Sequence, residues 1–317
     1  MKSRQFPLFP EIAPAPTLRD VADAVREAGL AGLPEAQRRA DDARYQEVQV
    51  RSALTRTQGM SFRWALNPYR GCTHACEYCY ARKYQRHLEM GAGDDFSSMI
   101  LVKRNVTEVL RHEVTRASWK RETVAVGTAT DPYQPIEGHY RLSRRSLEVL
   151  AAARTPVSII TKGPLVVRDI DVLKEVGRHA ACHVYVSVPS VDEDAWAKLE
   201  PGTASPLQRL RAVRELSRAG ITTGVLMMPL VPGITTSRSS VERTLEAIAD
   251  SGARFVGTNV ARLAPLVREH FLAFLAREYP SLVEGYGRLY AGQYASTSYV
   301  AEINAMVKVL AEKSGLA

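Results

Sequence analysis

Cys72, Cys76 and Cys79 are three of the chain's four cysteines, and they stand within eight residues in the stretch Asn67-Pro-Tyr-Arg-Gly-Cys-Thr-His-Ala-Cys-Glu-Tyr-Cys-Tyr80. Thiolates this close call for a soft cation or an iron–sulfur cluster, because these are what hold several sulfurs together. Three is the informative number. A closed structural zinc site takes four protein ligands. A cubane cluster has four irons, so three cysteines leave one iron open to a substrate or cofactor. Two chemistries therefore fit the triplet: zinc with His74 as a fourth ligand, or a cluster with a vacant corner.

Thiols on a loop need a scaffold that sets other polar groups around them. From Arg63 the chain alternates apolar strand-like runs with amphipathic helices. The predicted strands are Arg63–Asn67, Thr123–Ala129, Val157–Thr161, His183–Val188, Thr222–Pro229 and Phe255–Ala261. The helix before the fifth strand has a cap at Ser205, Pro206 in its first turn and Gly220 past its end. Ser143 and Thr236 can start the helices after strands two and five, and Gly252 can end the latter. Six strands alternating with helices give a parallel sheet through right-handed crossovers. In such a barrel, chemistry gathers at the C-terminal ends of the strands.

Polar residues fall at those ends. Strand two runs into Gly127-Thr-Ala-Thr-Asp-Pro-Tyr-Gln-Pro-Ile-Glu137, where Thr128, Thr130 and Asp131 can hydrogen-bond an ammonium or a hydroxyl. Asp-Pro is also turn chemistry. Strand three ends at Lys162, which needs an anionic partner in a barrel mouth. Strand four ends at Ser187, small enough for a cofactor to approach, and strand five carries Met227 and Met228, suited to a flat ring or to filling the core. Cys182 opens strand four, roughly 16 Å of strand from Ser187. It is expected at the opposite mouth, as a buried structural cysteine.

The Cys-x3-Cys-x2-Cys spacing, with Tyr78 before the last cysteine, resembles the signature of the radical S-adenosylmethionine (SAM) enzymes. Asn67-Pro-Tyr-Arg-Gly-Cys, Gly127-Thr-x-Thr-Asp-Pro-Tyr-Gln and Pro229-Leu-x-Pro-Gly resemble its spore photoproduct lyase-like branch, over roughly Arg51 to Gly233. The resemblance implies an α/β fold, a partial (β/α)6 TIM-type barrel. It implies a 4Fe–4S cluster on Cys72, Cys76 and Cys79, with SAM on the open iron. Thr130, Lys162 and Ser187 match family positions that touch SAM, Tyr78 should lie near the adenine, and Met228 joins this set. Implied too are reductive cleavage of SAM to a 5′-deoxyadenosyl radical and hydrogen abstraction from a nucleotide- or nucleoside-like substrate, with lyase- or transferase-type radical chemistry. An electron donor such as flavodoxin or ferredoxin would reduce the cluster.

Candidate catalytic contacts at the mouth are Tyr80, Thr128, Tyr133 and Glu137, joined by the tail tyrosines Tyr286, Tyr290, Tyr294 and Tyr299. Three departures from the branch bear on substrate. Thr128 stands where the lyase has a hydrogen-donating Cys, Ala129 replaces a common Asn, and Thr235-Thr236 replaces Asn-Asp. These favour a second reading, radical tailoring of another small molecule such as a sugar or natural-product intermediate. A third reading, a non-catalytic zinc-stabilised nucleic-acid-binding protein, follows if the metal is zinc.

Composition supports a large core: 317 residues, 45% of them hydrophobic. Few cysteines, most in one motif, point to a reducing, cytoplasmic location. The Pro-broken N-terminus reads as neither signal peptide nor membrane span. The net charge of +8 is spread along the chain rather than patched. Arg209, Arg211, Arg214 and Arg218 are expected on the solvated face of a helix whose apolar stripe is Leu207, Leu210, Val213 and Leu216. The expected organisation is an N-terminal extension over 1–56, with helices at Leu18–Ala28 and Pro34–Tyr45, a barrel core over 57–262 and a packed helical tail over 263–317.

Overall fold

Six short apolar runs, each followed by a polar or small residue, line up as one parallel sheet. The computed structural model describes residues 43–88 and 95–316. In chain order the strands are β1 (Arg44–Val48), β2 (Leu54–Arg56), β3 (Trp64–Leu66), β4 (Tyr69–Arg70), β5 (Met99–Lys103), β6 (Val124–Val126), β7 (Val157–Thr161), β8 (Cys182–Ser187), β9 (Thr222–Leu230) and β10 (Val256–Val260). The helices are α1 (Asp95–Ser98), α2 (Val106–Val114), α3 (Glu137–Tyr140), α4 (Leu142–Ala152), α5 (Ile170–His179), α6 (Glu193–Leu199), α7 (Pro206–Arg218), α8 (Arg238–Asp250), α9 (Pro265–Glu278), α10 (Val283–Leu289) and α11 (Thr297–Lys313).

The main sheet has the order β10-β9-β8-β7-β6-β3-β2, parallel except for β2, which runs antiparallel to β3. Each of the six predicted strands is present, within a residue at either end except that the one expected over Thr123–Ala129 stops at Val126. β2, inside the stretch assigned to the N-terminal extension, adds the edge strand. Register aligns Ala65, Ala125, Ser158, His183 and Thr222 in one row, so the carboxyl ends share one rim. The sheet is the open, partial form of a (β/α) barrel.

Along β7, Val157, Ile159 and Thr161 are buried while Ser158 and Ile160 are half-buried. The period of two puts the first set under the helices and the second in the concave interior. Leu147, Leu150, Val176, Val213, Leu216, Leu245 and Ile248 are fully buried between helices and sheet. Each such side chain contributes roughly 1.5–3 kcal/mol.

The apolar run Met99 to Val102 lies in β5, the centre of a second sheet ordered β1-β5-β4. That sheet was not foreseen, because its strands are short and far apart in sequence. The expected helix Leu18–Ala28 lies outside the described residues, as does Pro34–Tyr45 except for Ala43 and for Arg44 and Tyr45, which belong to β1. Ser205 caps α7 in a capping box with Gln208. Two cap expectations shift by a residue or two: Arg141 precedes α4, and Ser237 caps α8. Gly220 and Gly252 end their helices with positive φ. No described helix is long and apolar enough to cross a membrane.

α7 departs from expectation at two positions. Leu207 is exposed, at 47%, and Arg209 is fully buried. Leu210, Val213 and Leu216 are buried as expected, and the packed face extends through Ala212 to Arg209, which puts a guanidinium into the interior.

Candidate active site

The cysteine loop begins where β4 ends. Gly71 has φ 82°, and a Cβ there would press on the Met99 and Phe96 carbonyls, so the tight exit needs glycine. Cys72 N–H donates to Phe96 O at 3.0 Å, and Cys79 N–H to Cys76 O at 3.2 Å. Gln134 accepts from Thr73 N–H at 3.2 Å and donates to Gly71 O at 3.2 Å. Thr130 O–H donates to the same Gly71 carbonyl at 2.6 Å. From the other side the buried Arg82 donates to Ala75 O at 2.8 Å and Cys76 O at 3.1 Å. The loop is thus pinned through its own carbonyls before any metal is considered.

Cys72, Cys76 and Cys79 are free thiols, the first two buried. Burial pushes the Cys76 and Cys79 thiols up, and neighbouring cysteine charge adds to it, while Lys162 opposes it. Three mutually unfavourable thiolates on one fixed loop are the donor set a polynuclear iron–sulfur group satisfies, since it supplies the missing positive charge. Among the described residues no three of His, Cys, Asp and Glu are placed to hold a single ion. His74 turns to Asp131 instead, with Nδ1 3.4 Å from Oδ2. Burial lowers its pKa, but the Cys72 thiolate and Asp131 outweigh burial and raise it to about 10. The ring thus engages both the Asp131 carboxylate and the Cys72 sulfur.

Asp131 ties the loop after β6 to the end of β7. Its carboxylate accepts from Tyr133 N–H at 2.9 Å, Thr161 O–H at 2.6 Å and Lys162 N–H at 2.6 Å. His74 and these hydrogen bonds overcome burial and hold its pKa at about 2.

The loop Glu200-Pro-Gly202 closes over the cysteines. Gly202 N–H donates to His74 O at 3.1 Å, and Glu77 N–H to Leu199 O at 3.0 Å. A methyl group on Gly202 would overlap the Thr73 carbonyl oxygen. Gly202→Ala must therefore displace the thiol loop, at a cost of about 1–3 kcal/mol. We expect it to lower bound iron per chain and the melting temperature together, as measured by iron analysis and thermal unfolding. Unchanged iron content would mean the two backbones can part harmlessly. On the outer side, Glu77 meets His270 of α9 at 2.6 Å, with Arg277 at 3.8 Å.

Tyr78 and Lys162 meet at Glu200, and Ser187 is tied to them through Arg209. Tyr78 O–H donates to Glu200 Oε1, Arg209 Nη2 donates to Oε2 at 2.6 Å, and Lys162 Nζ lies 3.7 Å from Oε1. The Lys162 ammonium also sits 5.7 Å from the Tyr78 ring centroid. Arg209 Nη1 donates to Ser187 O at 2.8 Å, and Ser187 O–H to Met228 O at 3.3 Å. Met228 is half-buried, its side chain against Gly257. Thr130 stands apart from this group, engaged with Gly71 and Gln134.

The expected catalytic contacts divide. Tyr80 is exposed at 46% beside the thiols, and Thr128 is half-buried at the rim, accepting from Asn67 Nδ2 at 3.3 Å. Tyr133 and Glu137 are not at the mouth, which corrects the expectation. Glu137 is fully buried, accepting from Tyr69, Ser143 N–H, Arg144 N–H and Arg168. Tyr133 O–H donates to the buried Asp169 at 3.0 Å. Both side chains are committed to buried partners. Of the tail tyrosines, Tyr286 and Tyr290 are buried and donate to Pro232 O and Ala261 O, and Tyr299 bonds Thr236. Tyr294 alone of the four is exposed. Cys182 begins β8 at the opposite end from Ser187, partly buried, its thiol pushed up to about 12 by burial.

Glu200, Arg209 and Gln134 escaped the sequence reading. A signal for Arg209 was present: it lies three and four residues before the buried Ala212 and Val213, on the packed side of α7.

The model of the Radical SAM superfamily matches residues 66–248. An uncharacterized protein of Mycobacterium tuberculosis is 39% identical over 281 residues, spanning 87% of this chain and 83% of its own length. The radical SAM Nalpha-GlyT isomerase of Pseudomonas phage M6 is 30% identical over 193 residues, 60% of this chain and 37% of that protein. A variant of spore photoproduct lyase, bound to AdoMet and dinucleoside spore photoproduct, superposes with a TM-score of 0.65 at 16% identity. That superposition covers 96% of this chain and 94% of the lyase, and it is a likeness of fold.

Proposed function

Because the chain belongs to the radical SAM superfamily, we propose that it abstracts hydrogen from a nucleotide- or nucleoside-like substrate held at the rim beside the cysteine loop. The enzyme is of the radical SAM type, and the family's cofactors are a 4Fe–4S cluster and S-adenosylmethionine. In this reading Cys72, Cys76 and Cys79 hold the cluster, while Lys162, Ser187 and Tyr78 receive the methionine and adenine ends of S-adenosylmethionine. Bound there, the two cofactors supply the hydrogen-abstracting radical. The protein's part is to fix the thiols, keep the Lys162 charge dry and aim the substrate.

The observation that carries the substrate reading is an exposed aromatic and cationic patch next to Cys79. Tyr80 and Tyr84 are exposed, with ring centroids 6.5 Å apart, edge to face. Lys83 lies 6.0 Å from one ring centroid and 5.0 Å from the other. Arg70 reaches the Tyr84 carbonyl, and Lys103 Nζ donates to Asn67 O at 2.7 Å. Rings that can stack on a base, interleaved with cations for phosphate, suit a nucleotide. The names of two similar proteins, one an isomerase of Nalpha-GlyT and one bound to a dinucleoside, support the same class.

The test is anaerobic reconstitution with reductant and S-adenosylmethionine, following 5′-deoxyadenosine with nucleosides, nucleotides and oligonucleotides. Stimulation by one of these supports the reading; stimulation only by sugars or other small molecules replaces it with small-molecule tailoring. Added salt separates polymer from free nucleoside, since phosphate contacts weaken steeply with it. Tyr80→Ala/Tyr84→Ala should lower turnover of the substrate about tenfold through KM, given 1–3 kcal/mol per stacked base. Uncoupled deoxyadenosine formation should persist. An unchanged KM would remove the patch from the substrate site.

A further inference from the structure

We propose that the buried pair Glu200–Arg209 is a positioning device that keeps Lys162 free and Ser187 fixed for the methionine end of S-adenosylmethionine. The proposal rests on the roles given to Lys162 and Ser187 above.

One ion pair touches the ends of two strands, β7 and β8, and the cysteine loop. Glu200 and Arg209 are 2% and 0% exposed, and Arg209 leaves the packed side of α7 to reach the carboxylate. Glu200 takes its close hydrogen bonds from Tyr78 and from Arg209, the latter at 2.6 Å. Lys162 Nζ stands at 3.7 Å, beyond hydrogen-bond length. The ammonium is therefore steered by the carboxylate without being consumed by it. Its three N–H donors remain for an anion that enters between it and the thiols. The other arm of Arg209 holds the Ser187 carbonyl at 2.8 Å and so fixes the last residue of β8.

Charge makes the arrangement directional. Without Arg209, Glu200 would be left half-paired in a dry pocket, and a buried carboxylate recruits whatever cation is near. Lys162 is that cation. It would close on Glu200, and its donors would be lost to the cofactor. Arg209 thus acts by occupying Glu200, an effect opposite to that of a cation that binds the ligand itself. A point-charge ammonium at this position could not fork between Glu200 and Ser187.

The experiment measures S-adenosylmethionine binding by equilibrium dialysis with labelled cofactor, on cluster-loaded, unreduced enzyme under anaerobic conditions. Iron, sulfide and melting temperature are followed in parallel. Arg209→Met is expected to weaken binding at least about tenfold with iron content unchanged. Adding Glu200→Gln removes the charge that captures Lys162, and should restore at least about threefold of the loss. Arg209→Lys should fall between parent and Arg209→Met.

Parent enzyme that fails to bind S-adenosylmethionine overturns the reading of the whole site. Parent that binds, with Arg209→Met within about twofold of it, overturns the role of the pair and leaves that reading standing. A loss that Glu200→Gln does not relieve reduces the pair to packing and overturns the proposal as well. Should Arg209→Met not fold, Arg209→Lys decides: parental affinity in it overturns the proposal, and affinity reduced about threefold or more at parental iron content supports it.

Discussion

Cys72→Ala, Cys76→Ala and Cys79→Ala are each expected to abolish 5′-deoxyadenosine formation and to lower iron and sulfide after anaerobic reconstitution, whereas Cys182→Ala retains both. The three thiols share one loop whose carbonyls are tied down by Thr130, Gln134 and Arg82. The loop's shape therefore outlasts the loss of one sulfur, and the defect is one of ligation. No described side chain offers a replacement. His74 is paired with Asp131, and Cys182 starts β8 at the far end of the strand from Ser187. Losing one of three thiolates leaves two irons without protein ligands, and the cluster has no stable seat. The checks are iron and sulfide per chain, the visible absorption of the cluster and chromatography of deoxyadenosine. Deoxyadenosine formation at the parental rate in any of the three single variants contradicts the assignment.

The second large effect is on stability. Arg168→Met should lower the melting temperature of the cluster-loaded protein by about 10 °C, from a cost of about 3–5 kcal/mol. Arg168 donates to Glu137 at 2.9 Å and to both oxygens of Asp169, at 2.7 and 2.9 Å. Both carboxylates are 0% exposed. Arg144 still reaches Asp169 at 3.1 Å, but Glu137 would keep only neutral donors. Burial already pushes the Glu137 pKa up even with Arg168 beside it. Glu137→Leu in the Arg168→Met background should recover part of the loss, since an apolar pair of similar volume avoids burying an unpaired charge. Deoxyadenosine formation per bound cluster should change little. A shift of under about 2 °C would mean that water or a rearranged Arg144 reaches the pair.

The barrel strands were legible because each is an apolar run bounded by its own turn and helix signals, as Val157–Thr161 and Thr222–Leu230 show. The thiols were legible because all three ligands sit in one short segment. What escaped depends on contacts made across the chain. Glu200 and Arg209 come from a loop and a helix, and they meet Lys162 and Tyr78 only in the folded protein. Charged residues on helices are usually solvated, and this general tendency hid Arg209. Tyr133 and Glu137 were misplaced for a related reason. A polar residue after a strand can turn into the mouth or back under the helices, and sequence does not distinguish the two. Asp131 served both expectations, taking the Tyr133 N–H in a turn and also anchoring the end of β7. The β1-β5-β4 sheet was missed because β4 has only two residues.

The clasp between Glu77 and the α9 residues His270 and Arg277 sets an order on biogenesis. A chain leaving the ribosome presents its thiols long before His270 has been synthesised, and domains assemble from the N-terminal side. The clasp on the outer side of the sulfur loop thus waits for α9, about 190 residues after Cys79 in the chain. Until then Glu77 lacks both of the side chains that hold it on that side.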